Sequence, residues 1–128
     1  MTDCVMDASA ILALVRSEPG ADVVRFRIPR SVVSTVNVAE VGTKLVDWGM
    51  SSAGLRRVIL NLGFDVRPFD ADQAVAAAAL RAATRSHGLS LGDRACLALA
   101  RSTGLPVLTA DRAWRCVGLD VEIEVIRT

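Results

Sequence analysis

Tyrosine is absent from this chain, and histidine and lysine occur once each, as His87 and Lys44. A histidine triad or a zinc shell would rest on His87 alone, whereas zinc sites take several His or Cys ligands. His87 precedes Gly88 at a predicted helix end, where a contact with the helix C-terminus accounts for it. Cys4, Cys96 and Cys116 are odd in number, show no CxxC pattern and sit among apolar neighbours. They read as buried free thiols of a reducing compartment, which predicts a cytoplasmic protein. No apolar run approaches the roughly 18–20 residues a bilayer span needs. Asp3 and Asp7 interrupt the N-terminus, and no basic segment precedes them, so it does not read as a signal peptide. Large charge imbalance is also missing: the net charge is +1, which excludes bulk attraction to polyanions. The cations are arginine apart from Lys44; that skew suits bidentate phosphate contacts, and genomic base composition produces the same skew.

What the chain does have is apolar surface. At 128 residues it is one domain by length, residues 1–128, and 52% of it is hydrophobic. A mean hydropathy of +0.39 without membrane spans points to a sheet covered on both faces, or to a partner interface. The punctuation alternates strands and helices. Residues 3–6 read as a buried strand, followed by Ala8, Ile11, Leu12 and Val15 at helical spacing. Glu18-Pro19-Gly20 breaks that helix and a short one follows over 21–26. Val32-Val33-Ser34 is a second strand, and a helix from Thr35 ends at Trp48-Gly49. Residues 52–62 form another helix, closed by Gly63. Phe64 to Arg67 is a third strand, ended by Pro68. Asp70 caps a long alanine-rich helix over 71–87, with Val75, Ala78, Ala79 and Ala82 as its inner stripe. Ser90 caps a helix running to Thr103, Val107-Leu108 is a fourth strand, and a helical turn follows Asp111. Residues 122–126 alternate as a fifth strand at the sheet edge, with Glu122 and Glu124 to solvent. Strands separated by helices imply βαβ crossovers, hence an α/β/α sandwich around a parallel sheet.

Four acids stand at informative places in this frame. Asp7 follows the first strand, Asp111 follows the fourth, Glu40 lies one turn into a helix and Asp93 opens the most apolar helix. Each has an ordinary structural role available. Asp7 and Asp111 could be N-caps, Glu40 could pair with Lys44 four residues on, and Ser90 to Asp93 has capping-box spacing. Parallel strands, however, bring their carboxyl ends to one edge, where open α/β sheets place ligands. Carboxylates about 5 Å apart repel by roughly 3 kcal/mol per pair at an effective dielectric of 20. A cation or a proton must relieve such a cluster. An all-oxygen site suits Mg²⁺ or Mn²⁺ and not Zn²⁺.

The opening Val5-Met6-Asp7-Ala8-Ser9, the Asn37-Val38-Ala39-Glu40 helix, Leu89-Ser90-Leu91-Gly92-Asp93-Arg94-Ala95 and Leu108-Thr109-Ala110-Asp111-Arg112-Ala113-Trp114 together resemble a PIN domain, specifically the toxin nuclease of a VapBC toxin–antitoxin pair. They span residues 5 to 114, and the Leu-Ser-Leu-Gly-Asp and Thr-Ala-Asp segments are the most specific. The resemblance implies a mainly parallel five-stranded sheet between helices. It implies that Asp7, Glu40, Asp93 and Asp111 form an acidic Mg²⁺ site, which Mn²⁺ could also fill, with Asp7 and Asp93 the first choice as direct ligands. Ser9, Asn37 and Thr109 would orient waters or carboxylates around it. A fifth acid found in some relatives has no counterpart here, because Trp114 follows the last motif. The implied activity is hydrolysis of RNA phosphodiesters by a metal-activated water, giving 5′-phosphate and 3′-hydroxyl ends. Arg94 and Arg112 would hold RNA phosphates, or neutralise the acids beside them. A VapB-like antitoxin, docking at Trp48 to Leu62, and a second copy in a homodimer are the implied partners. That same segment could equally be ordinary helix packing.

Other proteins place an acid after strand one. A phosphoacceptor receiver needs paired acids there, an acceptor acid after strand three and a late lysine; this chain has Met6-Asp7, Arg67-Pro68 and no lysine beyond Lys44. A dehalogenase-like phosphatase needs Asp-x-Asp, and Ser9 takes the second place. Two alternatives keep the fold: a housekeeping RNA-processing PIN nuclease without an antitoxin, and a non-catalytic module whose acids only fix a cation.

Overall fold

The computed structural model describes every residue from Met1 to Thr128. Five short strands, β1 (Cys4–Met6), β2 (Ser31–Ser34), β3 (Asp65–Arg67), β4 (Val107–Thr109) and β5 (Ile123–Val125), form one sheet. Every pairing is parallel, in the order β3-β2-β1-β4-β5. The helices are α1 (Ala8–Val15), α2 (Ala21–Arg27), α3 (Thr35–Asp47), α4 (Ser52–Leu60), α5 (Ala71–Ala79), α6 (Arg81–Thr84) and α7 (Leu91–Thr103). Short 3₁₀ turns cover Ile28–Arg30, Arg85–His87 and Arg112–Cys116.

The period-2 alternation of the strands divides the core in two. Cys4, Met6, Val33 and Leu108 pack with α1, α2 and α3, whereas Val5, Val32 and Val107 pack with α5, α7 and the buried Trp114. That is the expected α/β/α sandwich, with the sheet wholly parallel. Nothing caps the sheet sideways, so β3 and β5 are its edges. No helix is long and apolar enough to cross a membrane.

Chain order runs outward from β1 through β2 to β3, then returns to place β4 on the other side of β1. The winding therefore reverses between β1 and β4. At such a reversal the connections leave in opposite directions and open a crevice at the strand ends. Asp7 and Asp111 leave the sheet there.

Two expectations need correction. The helix over 71–87 is interrupted at Leu80, and its buried stripe is Ala77, Leu80 and Thr84, while Val75 is 70% exposed and Ala78, Ala79 and Ala82 face solvent. The alanines give no hydrophobic contrast from which to read the phase. At the interruption the Thr84 hydroxyl donates to Leu80 O at 2.8 Å, a back-bond of the kind that accompanies bent helices. Arg94 donates to Ala77 O nearby, at 3.0 Å. Among the thiols, Cys4 and Cys96 are buried but Cys116 is exposed, because the 3₁₀ turn points Trp114 and not Cys116 into the core.

Candidate functional site

All four acids line one cleft of about 540 Å³ at the reversal between β1 and β4. Asp7 occupies the N-cap position of α1, yet its carboxylate caps nothing. Its Oδ2 accepts from Ser9 Oγ at 2.5 Å and from Thr109 Oγ1 at 2.9 Å. Ser9 Oγ and Thr109 Oγ1 lie 3.1 Å apart and also accept from the backbone N–H groups of Ala110 and Asp111. The end of β1 is thus tied to the end of β4 through hydroxyls.

Glu40 is not paired with Lys44. Its Oε1 accepts from Asn37 Nδ2 at 2.8 Å, and the same amide nitrogen donates to Gly92 O on α7 at 3.0 Å. Lys44 stands on the cleft wall as its only cation. Asp93 does close a capping box: its Oδ2 accepts from Ser90 N at 2.9 Å, and its own N–H donates to Ser90 Oγ at 3.2 Å. Asp111 caps the following 3₁₀ turn, Oδ1 accepting from Ala113 N at 2.9 Å. Capping does not remove either acid from the cleft. In every one of the four carboxylates, one oxygen is anchored by protein donors and the other has no protein partner.

Burial sets the electrostatics. Asp7 is 4% exposed and its carboxyl is pushed up to about 6, first by desolvation. The Ser9 hydrogen bond pulls it back, the Asp93 charge raises it, the Thr109 bond lowers it and Glu40 raises it. Glu40 is also raised, by burial and then by Asp93 against the Asn37 bond. Cys96 lies behind the acids, and burial followed by Asp7, Asp93 and Glu40 holds its thiol well above the usual range. It is no nucleophile.

No three acids are gathered into a ready-made metal cage. Mg²⁺ does not need one, since it keeps several waters and takes one or two carboxylates directly. Three observations fit a divalent cation here: four carboxylates lining one cleft, each with an unpartnered oxygen, the burial of Asp7, and the buried Asn37 Oδ1, which has no partner. That amide oxygen suits a proton of a coordinated water.

The two arginines part company. Arg112 opens onto a neighbouring cleft of about 880 Å³ that shares Ser9 and Asp111 with the acid cleft and carries Arg127, paired with Glu18. Arg94 turns away and covers the end of α5 instead. Lys44, Gly92 and Arg127 were not among the expected site residues. Gly92 had a signal, a glycine in the first turn of an otherwise strong helix.

Residues 4–118 match the PIN domain family. Ribonuclease VapC42 of Mycobacterium tuberculosis is 39% identical over 114 residues, covering 81% of this chain and 87% of that protein. Among solved structures, a toxin–antitoxin complex from Klebsiella pneumoniae superposes with a TM-score of 0.74 at 18% identity, covering 96% of this chain and 97% of the other. DNA-bound VapBC from Salmonella typhimurium gives 0.74 at 17% identity, covering 98% and 99%. The likeness of fold, the acidic cleft at the β1/β4 reversal and the sequence identity agree: the chain belongs to the PIN-domain family, and within it to the VapC ribonucleases.

Proposed function

We propose that residues 1–128 act as one Mg²⁺-dependent endoribonuclease domain, the toxin of a type II toxin–antitoxin pair. The observation that carries this reading is the set of four half-anchored carboxylates around one cleft. Asp7 and Asp93 would hold the cation through their free oxygens, with Glu40 and Asp111 contributing directly or through water. Bound there, Mg²⁺ or Mn²⁺ supplies Lewis acidity and lowers the pKa of a coordinated water. Ser9 and Thr109 hold Asp7 in place through one oxygen and leave the other without a protein partner. Asn37 does the same for Glu40. Arg112, exposed beside Asp111, meets RNA phosphate at the rim, and its planar fork suits that contact. Arg94 supports the scaffold.

The antitoxin reading is supported by an apolar groove of about 350 Å³ between α3 and α4, lined by Val38, Gly42, Val46, Leu55 and Ile59. No residue of α4 is fully buried, and Leu60 is 65% exposed. Trp48, 43% exposed, is covered on one face only by Arg16, whose guanidinium carbon lies 4.5 Å from the ring centre. A VapB-like peptide laid along Trp48 to Leu62 would bury this surface, and the remaining apolar surface suits a homodimer.

The test uses purified protein on structured RNA with Mg²⁺, Mn²⁺ or EDTA, beside Asp7→Asn and Asp93→Asn. Cleavage is expected with metal only and lost in both variants; cleavage persisting in EDTA, or in both variants, overturns the site. Growth arrest on expression, abolished by the same substitutions, separates a toxin from a housekeeping nuclease.

A further inference from the structure

Glycine is a poor choice for the first turn of a helix, because it carries more backbone entropy than alanine and adds no packing. Gly92, buried at the second position of α7, has an ordinary right-handed backbone, so no positive φ requires it. Its neighbour does. A Cβ placed on Gly92 would overlap Oε1, Oε2 and Cδ of Glu40, at separations real Cβ atoms do not adopt. Beside both stands Asn37, 0% exposed, whose amide nitrogen donates to Glu40 Oε1 and to Gly92 O. The Glu40 carboxylate therefore lies in a slot bounded by the bare backbone of Gly92 and tied down by a buried amide.

We propose that Gly92 is a positioning residue for Glu40: the missing side chain is the slot that fixes this carboxylate at the acid cleft. The inference rests on the metal-dependent nuclease reading and assigns a residue that reading does not use. Alanine at 92 raises helix propensity but expels the carboxylate. Aspartate at 40 shortens the arm by one methylene and draws the carboxylate back from the new Cβ.

The experiment is a double-mutant cycle of wild type, Gly92→Ala, Glu40→Asp and the double variant. It reads kcat and KM on structured RNA, Mn²⁺ affinity of the RNA-free protein by electron paramagnetic resonance, and the metal-free thermal midpoint. Gly92→Ala is expected to lower kcat and Mn²⁺ affinity by about 10–100-fold, the usual loss when a ligand's support is removed, with KM little changed. Its thermal midpoint falls despite the better helix former. The double variant recovers part of each loss. Wild-type values in Gly92→Ala, or losses that simply multiply in the double variant, overturn the slot. If wild type does not cleave RNA with metal, the nuclease reading fails, and the thermal cycle still decides the slot. Should Gly92→Ala not fold, folding of the double variant supports the slot and its failure to fold overturns it.

Discussion

Asp7 pays for its place in desolvation, and the sign of that penalty can be measured. Its folded pKa of about 6 lies above the usual 3.8, so the native state holds a proton that the unfolded chain has released. The contribution of Asp7 to the stability of the metal-free protein is therefore fully present below about pH 4, declines as pH rises through that window, and is lost above the folded pKa. Asp7→Asn keeps the acceptor for Ser9 and Thr109 and removes the charge. It should raise the metal-free thermal midpoint at pH 7.5 by several degrees, on the order of 2 kcal/mol, with the gain vanishing towards pH 4. A calorimetric scan showing a lower midpoint at pH 7.5 would contradict the assignment. Thiol chemistry gives a second check, since Cys4 is pushed up to about 11 by burial and Cys96 is sealed behind the acids. Native protein should alkylate once, at Cys116, and three times only after unfolding; mass spectrometry would reveal modification at Cys96.

The helices show which sequence signals carry far and which do not. Ser90 to Asp93 announces a cap, and the cap is present with both of its bonds. The spacing is silent on the place of Asp93 in the cleft wall and on its second oxygen, which has no protein partner, so a correct cap assignment does not exhaust what the residue offers. In α5 the pattern fails: a helix of alanines offers one bulky apolar residue, Val75, and it faces water. Leu80→Ala should cost about 2–5 kcal/mol, whereas Val75→Ser should stay within about 0.5 kcal/mol; urea denaturation that reversed this order would restore the other phase. Arg94 makes the same point for charge. Its place beside Asp93 in sequence suggests the cleft, but helical geometry turns neighbouring positions by about 100°, and its guanidinium ends on Ala77 O.

For the whole molecule, the order β3-β2-β1-β4-β5 decides where chemistry can occur. Strand and helix alternation sufficed to read a parallel sheet and its acidic edge. The clasp on Asp7 did not follow, because one of its two donors, Thr109, lies far from it in sequence. The assembled cleft should bind metal only as Asp7 loses its proton. Mn²⁺ affinity is expected to fall about tenfold per pH unit below about 6 and to level off above it, while a profile flat down to pH 5 would show that Asp7 is not a ligand. Thr109, which clasps Asp7, lies 102 residues further along the chain. β1 also takes β4 as a neighbour in the finished sheet. A ribosome making this protein thus releases the first acid long before the clasp that orders it exists. Long-range pairing of this kind forms late, after the intervening loop has closed. Competence to cut waits for β4, so the topology itself delays the enzyme's first act until Thr109 has been made.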